Sequence, residues 1–195
     1  MECKAPDLSD LDIPVTRNYI LNLLFLGAGP KDRQASSFLH NYLRVTDKAI
    51  REYNVARELL STYASSDNQT MLLLEAIDHF ETCINSVKRS LNFADRMASH
   101  RRSPNIDRTL RKLFESYQSS IRPVRDAIEH IDSDIFGGGI PEGKAHSLFI
   151  TQDGEYLEIS NQRLALSDLA ALLKRLHTLA TELAEYQDEI SSNEQ

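Results

Sequence analysis

Arg125, Asp126 and His130 are the residues of this chain whose types and spacing best suit chemistry. They stand in the stretch Arg122-Pro-Val-Arg125-Asp126-Ala-Ile-Glu129-His130. A histidine titrates near neutral pH, so it can take the proton of a ribose 2′-hydroxyl or give one to a leaving oxygen. A guanidinium fork binds phosphate and steadies the extra charge of the transition state. A carboxylate four residues before the histidine lies within hydrogen-bond reach on a helix, where it can orient the imidazole. Together these groups suit phosphodiester cleavage without a metal.

These residues need an amphipathic helix to hold them. At 100° per residue, Ile121, Val124, Ile128, Ile131 and Ile135 share one stripe, Asp126 and His130 fall on the opposite side, and Arg125 and Glu129 lie on the flank. Pro123 lacks an N–H and crowds the preceding turn, which predicts a kink just before Arg125 that re-aims it toward His130.

The same periodicity fills most of the chain. Pro14 to Leu26 reads as a first helix, stopped by Gly27-Ala-Gly29-Pro30. A second runs from about Asp32 to the polar stretch Ser65-Ser-Asp-Asn68, and a third from about Thr70 to Ser99. The fourth begins near Asn105, a capping residue, and ends at Gly137-Gly-Gly139. Ser167 opens the last helix, whose stripe reaches Tyr186 and Ile190. Apolar alternation on both sides of Asp153-Gly154 predicts a hairpin over about 147–160. The fold class is therefore all-α: an antiparallel four- to five-helix bundle with a small β-hairpin inserted before the last helix. Residues 1–13 read as an acidic leader, 14–190 as one domain, and 191–195 as a frayed tail.

Composition narrows the function classes. The 195 residues carry a net charge of −7, which argues against non-specific coating of nucleic acid. The charge is uneven, however: between Lys88 and Lys112 eight basic residues stand against two acidic ones. Lys88, Arg89, Arg96, Arg101, Arg102, Arg108, Arg111 and Lys112 are thus candidate RNA contacts, or alternatively a solvated helix–helix corner. No apolar run is long enough to span a bilayer and no secretory signal is visible, so a cytoplasmic protein is expected. Cys3 and Cys83 have neither zinc spacing nor a disulfide framework, and Cys83 is expected as a free core thiol.

Other chemistry fits poorly. Gly138-Gly-Ile-Pro-Glu-Gly143-Lys144-Ala145 has glycines and a lysine at phosphate-loop spacing, but it joins a helix to a strand and lacks the magnesium-binding hydroxyl. A di-iron centre needs two Glu-x-x-His pairs; Glu75 and His79 are one residue too far apart, and no second pair exists. No cofactor and no metal is implied.

Arg125-Asp126-Ala-Ile-Glu-His130 resembles the signature of the HEPN superfamily (higher eukaryotes and prokaryotes nucleotide-binding): an arginine, a polar residue, three residues, then histidine, late in a helical bundle. The resemblance implies a homodimer whose two motifs meet in a cleft and act as a metal-independent endoribonuclease, as in toxin–antitoxin and phage-defence systems. It assigns phosphate binding to Arg125, acid–base work to His130 and a modulating role to Asp126, with RNA as substrate and an antitoxin or other protein as a further partner. Many toxins paired with a nucleotidyltransferase antitoxin carry a tyrosine two residues after the histidine. Asp132 stands there, so silencing through that tyrosine is not expected. A different reading is a non-catalytic helical dimer serving as an adaptor or nucleotide-binding module. The plainest is a solvated helix face with Arg122–Asp126 and Arg125–Glu129 pairs, each worth about 0.3–0.5 kcal/mol.

Overall fold

Three-to-four apolar spacing produces five helices: α1 (Val15–Leu26), α2 (Arg33–Ser65), α3 (Thr70–Ser99), α4 (Arg108–Gly137) and α5 (Leu166–Ala184). The computed structural model describes residues 3–65, 69–138 and 146–188. Helices α2 and α3 form the central hairpin. Leu39, Leu43, Ile50, Tyr53 and Leu60 of α2 are fully buried, as are Phe80, Ile84 and Val87 of α3. Tyr53 meets Phe80 edge to face, with ring centroids 5.8 Å apart, a favoured aromatic arrangement. Helix α5 adds Leu169, Leu172, Leu173 and Leu176, and the buried Tyr42 hydroxyl donates to the Leu176 carbonyl at 2.9 Å. Cys83 is a buried free thiol in this core, and its burial pushes its pKa well up.

Helix α1 is started from outside itself. Pro14 precedes it and offers no capping side chain. Asp47 of α2, 5% exposed, reaches across instead. Its carboxylate accepts from the Val15 N–H at 2.8 Å, the Thr16 N–H at 2.9 Å and the Thr16 hydroxyl. A buried carboxylate is tolerable here because helix-terminal donors meet it. The leader also joins the bundle: Leu8 is fully buried, and Tyr53 and Arg57 donate to the carbonyls of Pro6 and Ala5.

The fourth helix starts two residues later than an Asn105 cap would place it. Asp107 rather than Asn105 is its cap, accepting from the N–H groups of Thr109 at 2.7 Å and Leu110 at 3.3 Å. The Thr109 bond is the main reason that the Asp107 carboxyl sits below the usual range. The helix runs unbroken through Pro123. Pro123 and Ser119, the residue whose carbonyl it leaves without an i+4 partner, are both exposed, so water can serve that carbonyl. Gly138, in the left-handed region at φ 64°, closes the helix. Residues 139–145, with most of the phosphate-loop resemblance, lie outside the described residues, as do Ile190 and the tail.

The hairpin is part of a three-stranded antiparallel sheet: β1 (Phe149–Ile150), β2 (Tyr156–Ile159) and β3 (Gln162–Ala165), in that order. Gly154 takes the positive φ that the first turn needs. The third strand was not expected. It pairs Leu157 with Leu164 on the buried face and Glu158 with Arg163 on the outer one, where the two charges bond at 2.6 Å. It also sets the start of α5, since the Leu166 N–H donates to the Glu155 carbonyl at 2.9 Å. The last helix therefore begins at Leu166 directly from β3, with no side-chain cap, rather than at Ser167.

No helix among the described residues is long and apolar enough to cross a membrane.

Candidate functional site

Helix α4 lies at the edge of the bundle, and its apolar stripe holds its two faces apart. Ile121 and Val124 are buried, Ile128 and Ile131 are half-buried, and Ile135 is 55% exposed. The stripe thus leaves the core along the helix, and Phe136 at its end is 95% exposed. On the other side His130 is exposed and Asp126 half-buried, as the helical wheel requires.

The expected bond between Asp126 and His130 does not form. Asp126 is taken up by arginines: its Oδ1 accepts from Arg125 Nη1 at 2.9 Å and its Oδ2 from Arg122 Nε at 3.4 Å. Charge-assisted bonds from two guanidinium groups hold the carboxylate instead. The Arg125 bond is the main cause that holds the Asp126 carboxyl below the usual carboxylate range. Asp126 therefore braces Arg125 and does not orient His130. The other Arg125 terminus, Nη2, donates to Glu129 one turn on, so the Arg122–Asp126 and Arg125–Glu129 pairs of a solvated helix face are both present. Arg125 Nε is buried without a partner.

Among the described residues, His130 and the exposed His146 stand apart from the other histidines. His79 bonds Glu52 across the α2–α3 pair at 2.7 Å. His177 bonds the Asp12 carbonyl at 2.9 Å, His100 stands 3.8 Å from Asp32 and against Phe38, and His40 lies against Tyr19. Among the described residues, His130 makes no hydrogen bond or ion pair. Its ring faces an open cleft of about 640 Å3 lined by Pro123, Asp126, Ser133 and Asp134 on α4, and by the β2–β3 turn Ser160-Asn161 with Gln162 at the start of β3.

That turn is the part of the site that sequence reasoning missed. Ser160 has φ 53°, a left-handed conformation that costs a non-glycine residue about 1 kcal/mol, and its buried hydroxyl has no partner. The usable signal was Asn161 between Ile159 and the apolar alternation Leu164-Ala-Leu166, which marks a second turn and strand.

The eight basic residues do not form one patch with the motif. Arg108, Arg111 and Lys112 surround a second open depression at the start of α4, with Asn105 and Glu115. Arg101 and Arg102 stand in the α3–α4 connection beside Lys31 and Asp188, and Arg102 is 3.6 Å from Asp32. Lys88, Arg89 and Arg96 lie on α3; Lys88 is half-buried and the other two are exposed. What links this region to the motif is α4 itself. Lys112 precedes His130 by 18 residues, five whole turns, so the two share a face at a separation of about 27 Å along the axis. Arg108 and Asp126 are likewise five turns apart.

No family model, curated protein or solved structure matches the chain.

Proposed function

We propose that the protein is a metal-independent endoribonuclease of the HEPN type, acting in a toxin or phage-defence setting, with a composite site formed where two copies of α4 meet. The observation that carries this reading is the state of His130: an exposed imidazole without a hydrogen-bond or ion-pair partner among the described residues, in an open cleft, just over one turn beyond an arginine braced by two carboxylates.

In this reading the neutral imidazole of one His130 accepts the proton of a ribose 2′-hydroxyl. The 2′-oxygen attacks the adjacent phosphorus and the bond from phosphorus to the 5′-oxygen breaks. The His130 of the partner subunit, protonated, gives its proton to that leaving oxygen. The products are a 2′,3′-cyclic phosphate and a 5′-hydroxyl. Arg125 neutralises the pentavalent intermediate, once the phosphate displaces Glu129 from Nη2. Ile135 and Phe136, carried out of the core just beyond His130, supply apolar surface for the second copy to cover. Arg108 and Lys112 extend the same face as contacts for flanking phosphates.

The test is incubation of the purified protein with single-stranded RNA in EDTA, beside Arg125→Ala and His130→Ala. Cleavage by the wild type that falls at least a hundredfold in both variants is expected. Equal background cleavage in all three overturns the reading.

A further inference from the structure

The cleft that holds His130 has a second wall with no charge on it. That wall is Ser160 and Asn161 of the β2–β3 turn, with Gln162 at the start of β3. Among the described residues lining the cleft, none is an arginine or a lysine, and His130 is the one basic group. The turn side is therefore unsuited to phosphate. Its groups are a hydroxyl and two carboxamides, which match the hydrogen-bonding edge of an unstacked nucleobase. At about 640 Å3 the cleft has the size of a small-ligand pocket and accommodates one base.

Among the described residues, the Asn161 and Gln162 amides and the Asp134 carboxylate make no hydrogen bond or ion pair. Asn161 is exposed, and Gln162 and Asp134 are half-buried. Asp126, the other carboxylate at the cleft, is held by Arg122 and Arg125, so Asp134 is the acceptor left open. It follows His130 by four residues, about 6 Å along the helix axis. In a ribonucleotide the base hangs from the carbon next to the one bearing the 2′-hydroxyl. A ribose seated at His130 thus carries its base into the same cleft. The wall is also held in place: Ile159 pairs with Gln162 across the turn, and Ser160 keeps its left-handed backbone.

On the reading of His130 proposed above, we infer that this cleft selects the base of the nucleotide whose 2′-hydroxyl is attacked. Asp134 sets the choice: adenine, cytosine and guanine, which carry an exocyclic amino group, are accepted and uracil is rejected. An ionised carboxylate only accepts hydrogen bonds. Each of the three accepted bases offers it an amino group, beside a ring nitrogen or a carbonyl that an amide of Asn161 or Gln162 can serve. Uracil has no amino group. Its one ring N–H is flanked by two carbonyls, so approach to that N–H sets the carboxylate against a carbonyl oxygen. Repulsion of the wrong ligand is an effective source of specificity, and an unmatched polar pair in a closed site adds to it.

Asp134→Asn keeps the shape of the side chain and adds an N–H2 donor, which can serve a uracil carbonyl. The substitution therefore acts in one direction: the uracil nucleotide gains affinity. A merely structural role for Asp134 gives no such gain.

The test titrates the full chain with the 3′-monophosphates of adenosine, cytidine, guanosine and uridine, following the His130 ring protons by NMR. In the wild type the uridine nucleotide is expected to bind roughly fivefold or more weakly than the other three. In Asp134→Asn that gap is expected to close to about twofold, through tighter binding of the uridine nucleotide. Asn161→Ala/Gln162→Ala is expected to weaken the three amino-bearing nucleotides by about fivefold. Equal binding of all four, binding of none, or an unchanged gap in Asp134→Asn overturns the inference. Cleavage of RNA in EDTA is scored separately. Cleavage together with equal nucleotide binding overturns the base preference alone, whereas selective binding without cleavage supports the base site and overturns the ribonuclease.

Discussion

Replacing Glu129 with glutamine tests how Arg125 is held. In the free chain Arg125 Nη2 donates to Glu129, a pair whose side chains are 26% and 40% exposed. A phosphate that uses this side of the guanidinium must break the pair, at a cost of about 0.3–0.5 kcal/mol for partners four apart on a helix. It must also approach the Glu129 carboxylate. Two like charges about 6 Å apart repel by roughly 0.7 kcal/mol in water and more as the site loses solvent. Glu129→Gln removes both terms, so RNA affinity is expected to rise by about 1–2 kcal/mol, or 5- to 30-fold. Fluorescence anisotropy with a 2′-O-methyl RNA, which binds and cannot be cut, reads this directly. Thermal stability should change by less than about 2 °C, because the pair itself is weak. Affinity that stays within twofold of wild type, or falls, refutes the argument that Glu129 competes for Arg125.

Three further outcomes follow from the same contacts. Pro123→Ala restores an N–H able to donate to the Ser119 carbonyl; it is expected to stabilise the chain by about 2 kcal/mol in a denaturant titration. Asp47→Ala leaves three donors at the start of α1 without their acceptor and is expected to cost about 2–3 kcal/mol, seen as a melting temperature lower by about 5–10 °C. The Asp126 carboxyl is depressed in the folded chain, chiefly by its bond from Arg125, so its contribution is present above the ordinary carboxylate value of 3.8 and is lost as pH falls below it; Asp126→Asn should flatten the fall in stability between about pH 4 and pH 2, measured by thermal melts.

Most of the fold was legible because its cause is local. The stripes of α2, α3 and α5 recur at helical spacing, and the Gly27 and Gly137-Gly138 stops act through their own backbone freedom. What was not legible depends on residues far apart in sequence. The cap of α1 comes from Asp47, 32 residues on, and the start of α5 is fixed by the Glu155 carbonyl through β3. At α4 both Asn105 and Asp107 are good caps by residue type; Asp107 takes the role, being charged and two residues nearer the helix. At the site, the wheel put Asp126 and His130 on the outer face correctly. It could not decide which neighbour Asp126 would choose, since Arg122, Arg125 and His130 all lie within four residues of it. The second wall, Ser160 to Gln162, comes from a strand pair that a helix-by-helix reading passes over.

The most direct measurement is cleavage, in EDTA, of an oligonucleotide that is DNA except for one ribose. The account predicts a single cut at that ribose, giving a 2′,3′-cyclic phosphate and a 5′-hydroxyl, with the cut lost in His130→Ala. No cleavage, a cut elsewhere in the DNA, or the same cut from His130→Ala contradicts it.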